Sequence, residues 1–368
     1  MYRYYIICIM VVLPSFFLGI YSADDDIVEE CILRSGYLGW FVLPINCEDR
    51  GVNEKMNWAN QIGPYGPKSQ PIMSGDKICC QNISIFTANR ACNNYISRRK
   101  EGVTNQILEG TEVLEGQFPH MGAIGYKDSE GNVSFLCAGT LISNNYVLTA
   151  SHCIAITLGS VPHVVRLGVI SLNQSNNNTD YLVKNSIVHP QYNRIYKHND
   201  IGLLLLEKEV EFSYTIYPAC LGTSKEDPVI IMTITGWGIY QKGSTASSNE
   251  MLRANLESVG AAECTPFYFR QDWARHNPNG LPTHQMCARG ARNNTGADTC
   301  MGDSGGPMQE LIENGVSRVL GVVAYGKNCG NNIPGIYTRV SEFVPWIVRI
   351  VWPNGFIRPR QAGASTIP

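Results

Sequence analysis

Three short segments must meet in space if the chemistry written in this chain is to take place. The last of them, Gly302-Asp303-Ser304-Gly305-Gly306, is a glycine-rich turn built around a serine. A serine hydroxyl is a weak nucleophile alone. It becomes effective when a tight turn exposes it, backbone N–H groups face the developing oxyanion, and a base lies within reach. Leu148-Thr149-Ala150-Ser151-His152-Cys153 offers the base, and Asp200, followed by the apolar run Ile201–Leu206, offers a carboxylate to orient that base. Taken singly, Ser304 is a turn serine, His152 a core histidine and Asp200 a strand cap. Taken together, in the order His, Asp, Ser, they form a nucleophile–base–acid set. A fold that brings them together must therefore join segments lying far apart in sequence.

The rest of the composition suits such a fold. Of the 368 residues, 44% are hydrophobic and 16% charged, enough apolar material for a large core. Net charge is −2 with no long basic run, which argues against nucleic acid as a partner. The first residues carry Arg3, then an apolar run over 4–20, then Ser22-Ala23 before Asp24-Asp25-Asp26. This pattern describes a secretory signal peptide over residues 1–22, cleaved near Ser22 or Ala23. A retained signal anchor is the alternative, although Pro14 interrupts the run. No later stretch reads as membrane-spanning. Of 13 cysteines, Cys8 leaves with the signal, and the even number remaining fits an oxidised, secreted, extracellular protein. Asn82, Asn132, Asn173, Asn177 and Asn293 each begin an N-x-Ser/Thr acceptor sequence for glycans.

Residues 23–82 hold Cys31, Cys47, Cys79 and Cys80 in a stretch rich in Gly, Pro and Asn, with too little periodicity for a core of its own. Such a segment needs disulfides to hold a shape. Adjacent cysteines pair poorly, so Cys79 and Cys80 are expected to bond partners other than each other. Residues 83–106 are polar, include Arg98-Arg99-Lys100-Glu101, and read as an exposed linker. Residues 107–352 contain short apolar or alternating runs between turn signals, such as 164–167, 230–234 and 319–323, as an all-β barrel or sandwich does. Residues 341–352 place Val344, Ile347, Val348 and Val351 on one helical face. Residues 353–368 form an aperiodic tail.

Given the order of the His152, Asp200 and Ser304 motifs, the region 107–352 resembles the trypsin-like serine proteases of the chymotrypsin family. The fold implied is a double β-barrel with a C-terminal helix. The cysteine-stapled segment ahead of it resembles the clip domains of arthropod proteases, with four cysteines where these usually have six; an unrelated disulfide-stapled pro-segment is the alternative. The resemblance implies roles. Ser304 attacks, His152 is general base, and Asp200 fixes its tautomer. The N–H groups of Gly302 and Ser304 form the oxyanion hole. Asp298 floors a pocket selective for Arg or Lys, and Gly326 and Gly335 keep its walls open. It also implies disulfides Cys137–Cys153, Cys264–Cys287, Cys300–Cys329 and Cys92–Cys220, which leaves Cys31 and Cys47 each to bond one of Cys79 and Cys80, in either order.

The Cys92–Cys220 bond ties the catalytic domain to its pro-segment. Cleavage between Gln106 and Ile107 frees an ammonium that pairs with Asp303, and the pro-segment then stays attached until a reducing agent frees it. Two departures stand out. Gln106 replaces the usual Arg or Lys, so either a protease of another kind activates the zymogen or activation is unusual. Ala324 replaces a serine that supports the buried aspartate. Val169 stands where some relatives carry a calcium-binding acid, and the seven histidines lack ligand spacing, so neither metal nor cofactor is expected. The implied protein is a secreted zymogen of an extracellular cascade in immunity, development or venom. Its partners are protein substrates, an upstream activating protease and a serpin-type inhibitor, with no nucleic acid or membrane. The rival is a catalytically inert homologue that binds a partner through the same scaffold.

Overall fold

The computed structural model describes residues 29–32, 38–42, 73–74, 77–80, 84–99, 113–155, 161–174, 179–238, 248–268, 277, 279–291, 303–326 and 333–353. The chain divides into two compact units, Met1–Thr87 and Ala88–Pro368. In the first, β1 (Glu29–Ile32), β2 (Leu38–Val42), β3 (Met73–Ser74) and β4 (Lys77–Cys80) form an antiparallel sheet in the order β1-β2-β4-β3. Cys31 lies opposite Gly39 and Cys80 opposite Trp40, so both strands flanking β2 carry cysteines. Cys47 lies outside the described residues.

The stretch read as an exposed linker is instead helical over α1 (Ser84–Arg98). The second unit starts within it, at Ala88. Ala88, Ala91, Cys92 and Tyr95 fall at i, i+3, i+4 and i+7, a stripe that a helix presents on one side, and all four are buried.

Two barrels follow. The first is closed from β5 (Met121–Lys127), β6 (Val133–Leu141), β7 (Tyr146–Thr149), β8 (Pro162–Leu167), β9 (Asp180–Val188) and β10 (Gly202–Leu206), in the order β10-β7-β6-β5-β8-β9. Its β10 is almost entirely buried, which is why the sequence there is a continuous leucine run rather than an alternation. The second barrel uses β12 (Met232–Gly236), β13 (Leu252–Val259), β14 (Gln285–Gly290), β15 (Pro307–Leu311), β16 (Ser317–Tyr325) and β17 (Gly335–Arg339). Pairing of β16 with β17 closes its ring, and β11 (Cys220–Leu221) adds to β16 in parallel. Met232, Ile234, Leu256, Met286, Met308 and Tyr337 fill its interior. The run 230–234 enters the strand only at Met232; Ile230 and Ile231 precede it and are exposed.

A separate cluster joins the barrels. Met121, Ala123 and Ala138 of the first meet Trp237 and Met251 beside the second, and Val169 packs into the same cluster. This seam is where the three motifs converge. After β17 a 3₁₀ turn over Val340–Phe343 leads into the helix α4 (Val344–Val351), which buries Val344, Ile347 and Val348. Pro345 sits in its first turn, where no backbone donor is needed. Two further helices, α2 (Ser151–Ile154) and α3 (Ala261–Tyr268), lie between strands. Among the described residues, no helix is long and apolar enough to cross a membrane.

His120, just before β5, is 1% exposed. Burial pushes its imidazole down to about 3, whereas an unfolded histidine titrates near 6.5. The unfolded chain takes up this proton first, so stability falls as pH drops from about 6.5 towards 3, by up to about 1.4 kcal/mol per pH unit. Above that window the group is neutral in both states and contributes nothing. Melting temperatures measured across the window are expected to fall more steeply for the wild-type chain than for His120→Gln.

Candidate active site

Strand register brings the base to the acid. β7 and β10 are antiparallel, with Gly202 opposite Thr149. The chain leaving β7 and the chain entering β10 therefore lie at one end of the barrel. His152 stands on α2 just beyond Thr149, and Asp200 just before Gly202. The two side chains meet with His152 Nδ1 2.7 Å from Asp200 Oδ2. His152 also donates its backbone N–H to Asp200 Oδ1 at 2.8 Å. Asp200 is fully buried and His152 is 19% exposed. A carboxylate only accepts, so Nδ1 carries the proton of this bond and His152 is its donor.

Neighbours fix this pair. Ser151 Oγ donates to the Ile201 carbonyl at 2.5 Å and accepts the His189 N–H at 3.3 Å, stapling α2 to the entry of β10. Thr338 Oγ1, from β17 of the other barrel, donates to the Asp200 carbonyl at 2.8 Å. Ala324 is buried in β16 and brings no hydroxyl. Both Asp200 side-chain oxygens nonetheless hold a donor, each from His152.

Ser304 enters from the second barrel, in the turn that leads into β15. Its carbonyl accepts the Ala138 N–H at 2.8 Å. Ala138 adjoins Cys137, which is disulfide-bonded to Cys153, the residue after His152. The serine turn and the histidine helix are thus tied to the same edge of β6. Gly305, at φ +79°, continues the turn in the left-handed region, and a side chain there would collide with Thr149 Oγ1 and the Ala138 carbonyl. Gly306 N–H donates to the Asp303 carbonyl at 2.9 Å, closing the turn.

Asp303 is turned towards the Gly236-Trp237-Gly238 corner. Its Oδ1 accepts the Gly238 N–H at 3.0 Å. A Cβ on Gly238 would lie 2.5 Å from Oδ2, and one on Gly236 would overlap Oδ1. Gly236→Ala is therefore expected to displace Asp303 and the turn beside it. A shift of about 1 Å at a reacting group costs on the order of a hundredfold, and kcat/KM of the activated protein measures it.

Gly326 and Gly335 flank one register pair: Gly326 follows Tyr325 and Gly335 precedes Ile336, which face each other across β16 and β17. Asp298, Gly302, Cys300, Cys329, Gln106 and Ile107 lie outside the described residues, as do Asn82, Asn177 and Asn293. Asn132 and Asn173 are exposed. Disulfides also join Cys92 to Cys220 and Cys264 to Cys287. Among the described residues, the grouping of side chains able to hold a metal is Cys137, His152 and Cys153, but the two cysteines are bonded to each other and have no thiolate to offer. Val169 packs against apolar side chains, while the Arg166 guanidinium grips both oxygens of Asp180, at 2.6 and 2.7 Å, and the Leu172 carbonyl.

Sequence reasoning missed Thr338 and Ser151 as supports of the aspartate and the histidine. Ser151 stood in the histidine motif. Thr338 carried no signal, because its role depends on how the second barrel closes.

The Trypsin family model matches residues 107–347, and the chain belongs to that family of serine proteases. It is 38% identical to Serine protease Hayan of Drosophila melanogaster over 72% of its own length and 42% of that protein's, so it spans less than half of that relative. It is 36% identical to CLIP domain-containing serine protease B4 of Anopheles gambiae, covering 67% of this chain and 70% of that one. These relatives bear out the resemblance to arthropod clip-domain proteases. Among solved structures, neuropsin, a serine protease of mouse brain, superimposes with a TM-score of 0.54 at 28% identity, over 67% of this chain and all of that one. This agrees with the expected double barrel.

Proposed function

We propose that this chain is the secreted zymogen of a serine endopeptidase that cleaves after Arg or Lys and works in an extracellular proteolytic cascade. The observation that carries the reading is the His152–Asp200 pair, with its 2.7 Å contact, beside the Ser304 turn on the seam of the two barrels.

In this reading His152 Nε2 takes the Ser304 hydroxyl proton as Oγ attacks the substrate carbonyl. The oxygen becomes an anion held by the N–H groups of Gly302 and Ser304, an interaction worth about 3 kcal/mol per donor. Collapse of the tetrahedral species breaks the C–N bond, and the imidazolium gives its proton to the leaving amine. Water, deprotonated by the same imidazole, then releases the acyl group and restores the serine. Asp200 holds the Nδ1 proton throughout. Asp298 supplies the charge that selects a basic side chain. Protein substrates, an activating protease that accepts Gln106 and a serpin-type inhibitor are the partners this role requires. Kinship with a CLIP domain-containing protease supports the cascade setting.

Labelling with a fluorophosphonate tests the reading. Protein cut at Gln106–Ile107 is expected to take one label at Ser304, and uncut protein or His152→Ala little. An unlabelled cut protein would leave the non-catalytic binding homologue in its place.

A further inference from the structure

Residues 88–99 lie upstream of the proposed activation bond, in the polypeptide that cleavage there separates from the barrels. They are nevertheless built into the same compact unit as those barrels. Ala88, Ala91, Cys92 and Tyr95 are each no more than 5% exposed. The face they form packs on Tyr217, Cys220 and Val316. Polar contacts surround it. Tyr95 O–H donates to the Ile142 carbonyl at 2.9 Å, and Tyr217 O–H donates to the Tyr95 carbonyl at 2.8 Å. The Asn314 side-chain amide reaches the Ile96 carbonyl at 3.0 Å.

Arg99 finishes the arrangement. It is 8% exposed, its guanidinium lies 5.1 Å above the Tyr217 ring, and one of its nitrogens donates to the Gly116 carbonyl at 3.2 Å. Arg99 precedes the activation bond and Gly116 follows it, so this contact pins together the two ends of the activation segment. A disulfide tether needs none of this. Two cysteines on a loose strand would hold the chains together equally well.

We propose that α1 from Ala88 onward is a permanent, non-covalently seated part of the catalytic unit. After cleavage, the light chain stays docked through the Ala88, Ala91 and Tyr95 face and the Arg99 clasp even when Cys92–Cys220 is absent. This replaces the expectation that a reducing agent alone frees it. A second consequence concerns Arg98-Arg99-Lys100, which has the composition of a cleavage site for a basic-residue protease. Cleavage after Arg99 requires that buried side chain to leave its seat and enter a protease pocket, so Arg99 serves as a clasp and not as the residue of a processing site.

The proposal rests on the Gln106–Ile107 activation reading, and its test supplies the cut independently. In the full chain, Gly102, Val103, Thr104 and Asn105 are each replaced by Asp and Gln106 by Lys, so that enteropeptidase cuts before Ile107. Cys92→Ser and Cys220→Ser remove the tether, and Ser304→Ala prevents self-digestion. Light and heavy chains are expected to co-elute on size exclusion at micromolar concentration, and to separate once Tyr95→Ala and Arg99→Ala are added. Separation without those two changes overturns the proposal. Should the tether-free chain fail to fold, amide hydrogen exchange of the disulfide-linked protein decides: residues 88–98 stay slow after the cut, and acceleration of about a hundredfold or more overturns it. Limited trypsin digestion of the uncut chain is expected to spare the Arg99–Lys100 bond, and early cleavage there counts against the clasp. Activity of the same cut chain with Ser304 intact reads the activation step separately, because docking and catalysis are scored by different measurements.

Discussion

Ser304→Ala is expected to lower kcat/KM on an arginine peptide by at least about a thousandfold, and by up to about a millionfold, while the protein folds as before. Both halves follow from the geometry. The hydroxyl is the atom that forms the bond, and neither His152 nor Asp200 can replace it from its position. Among the described residues, the structural bonds at Ser304 are made by its backbone: Ala138 N–H to its carbonyl, with the Asp303–Gly306 turn around it. Alanine keeps all of these, and the side chain is only partly buried. The melting temperature should therefore correspond to a change within about 0.5 kcal/mol. Activity near that of the wild type would remove Ser304 from the mechanism. A collapsed melting transition would instead mean that the hydroxyl holds the turn.

Chemistry made part of this molecule readable from residues alone. His152, Asp200 and Ser304 sit in short segments whose composition is narrow, because few residue types can do their work. The barrel strands were legible where burial imposes a pattern, as in the leucines of β10. Legibility failed where the deciding contact comes from elsewhere in the chain. Thr338 looks like any strand threonine until β17 closes the second barrel over Asp200. The glycines at 236 and 238 matter because Asp303 folds back against them, which their own neighbours do not announce. Helix α1 was hidden for another reason. Its buried stripe consists of alanines, a cysteine and a tyrosine, flanked by charge and ending in an arginine. The spacing was helical, but the composition resembled an exposed connector. The run at 230–234 erred in the other direction: Ile230 and Ile231 are apolar and yet exposed, because β12 begins only after them.

An arginine substrate is expected to outpace its phenylalanine counterpart by two or more orders of magnitude in kcat/KM, and Asp298→Ser to erode that ratio. The cause lies in an asymmetry of burial. A carboxylate at the floor of a closed pocket loses water when any side chain fills the space above it. A guanidinium returns two hydrogen bonds and an opposite charge, whereas a phenyl ring returns nothing. An unpaired buried charge costs several kcal/mol, and each 1.4 kcal/mol is a factor of ten in rate. In this reading Gly326 and Gly335, which flank the paired Tyr325 and Ile336, line that pocket, and neither has a side chain to fill it. With serine at 298 the penalty on phenylalanine disappears along with the attraction for arginine, so the two rates should converge from both directions. Measuring both substrates separates this from simple damage, which lowers both together and leaves their ratio intact. If the unaltered protein cuts phenylalanine and arginine peptides equally well, Asp298 is not the floor of the pocket.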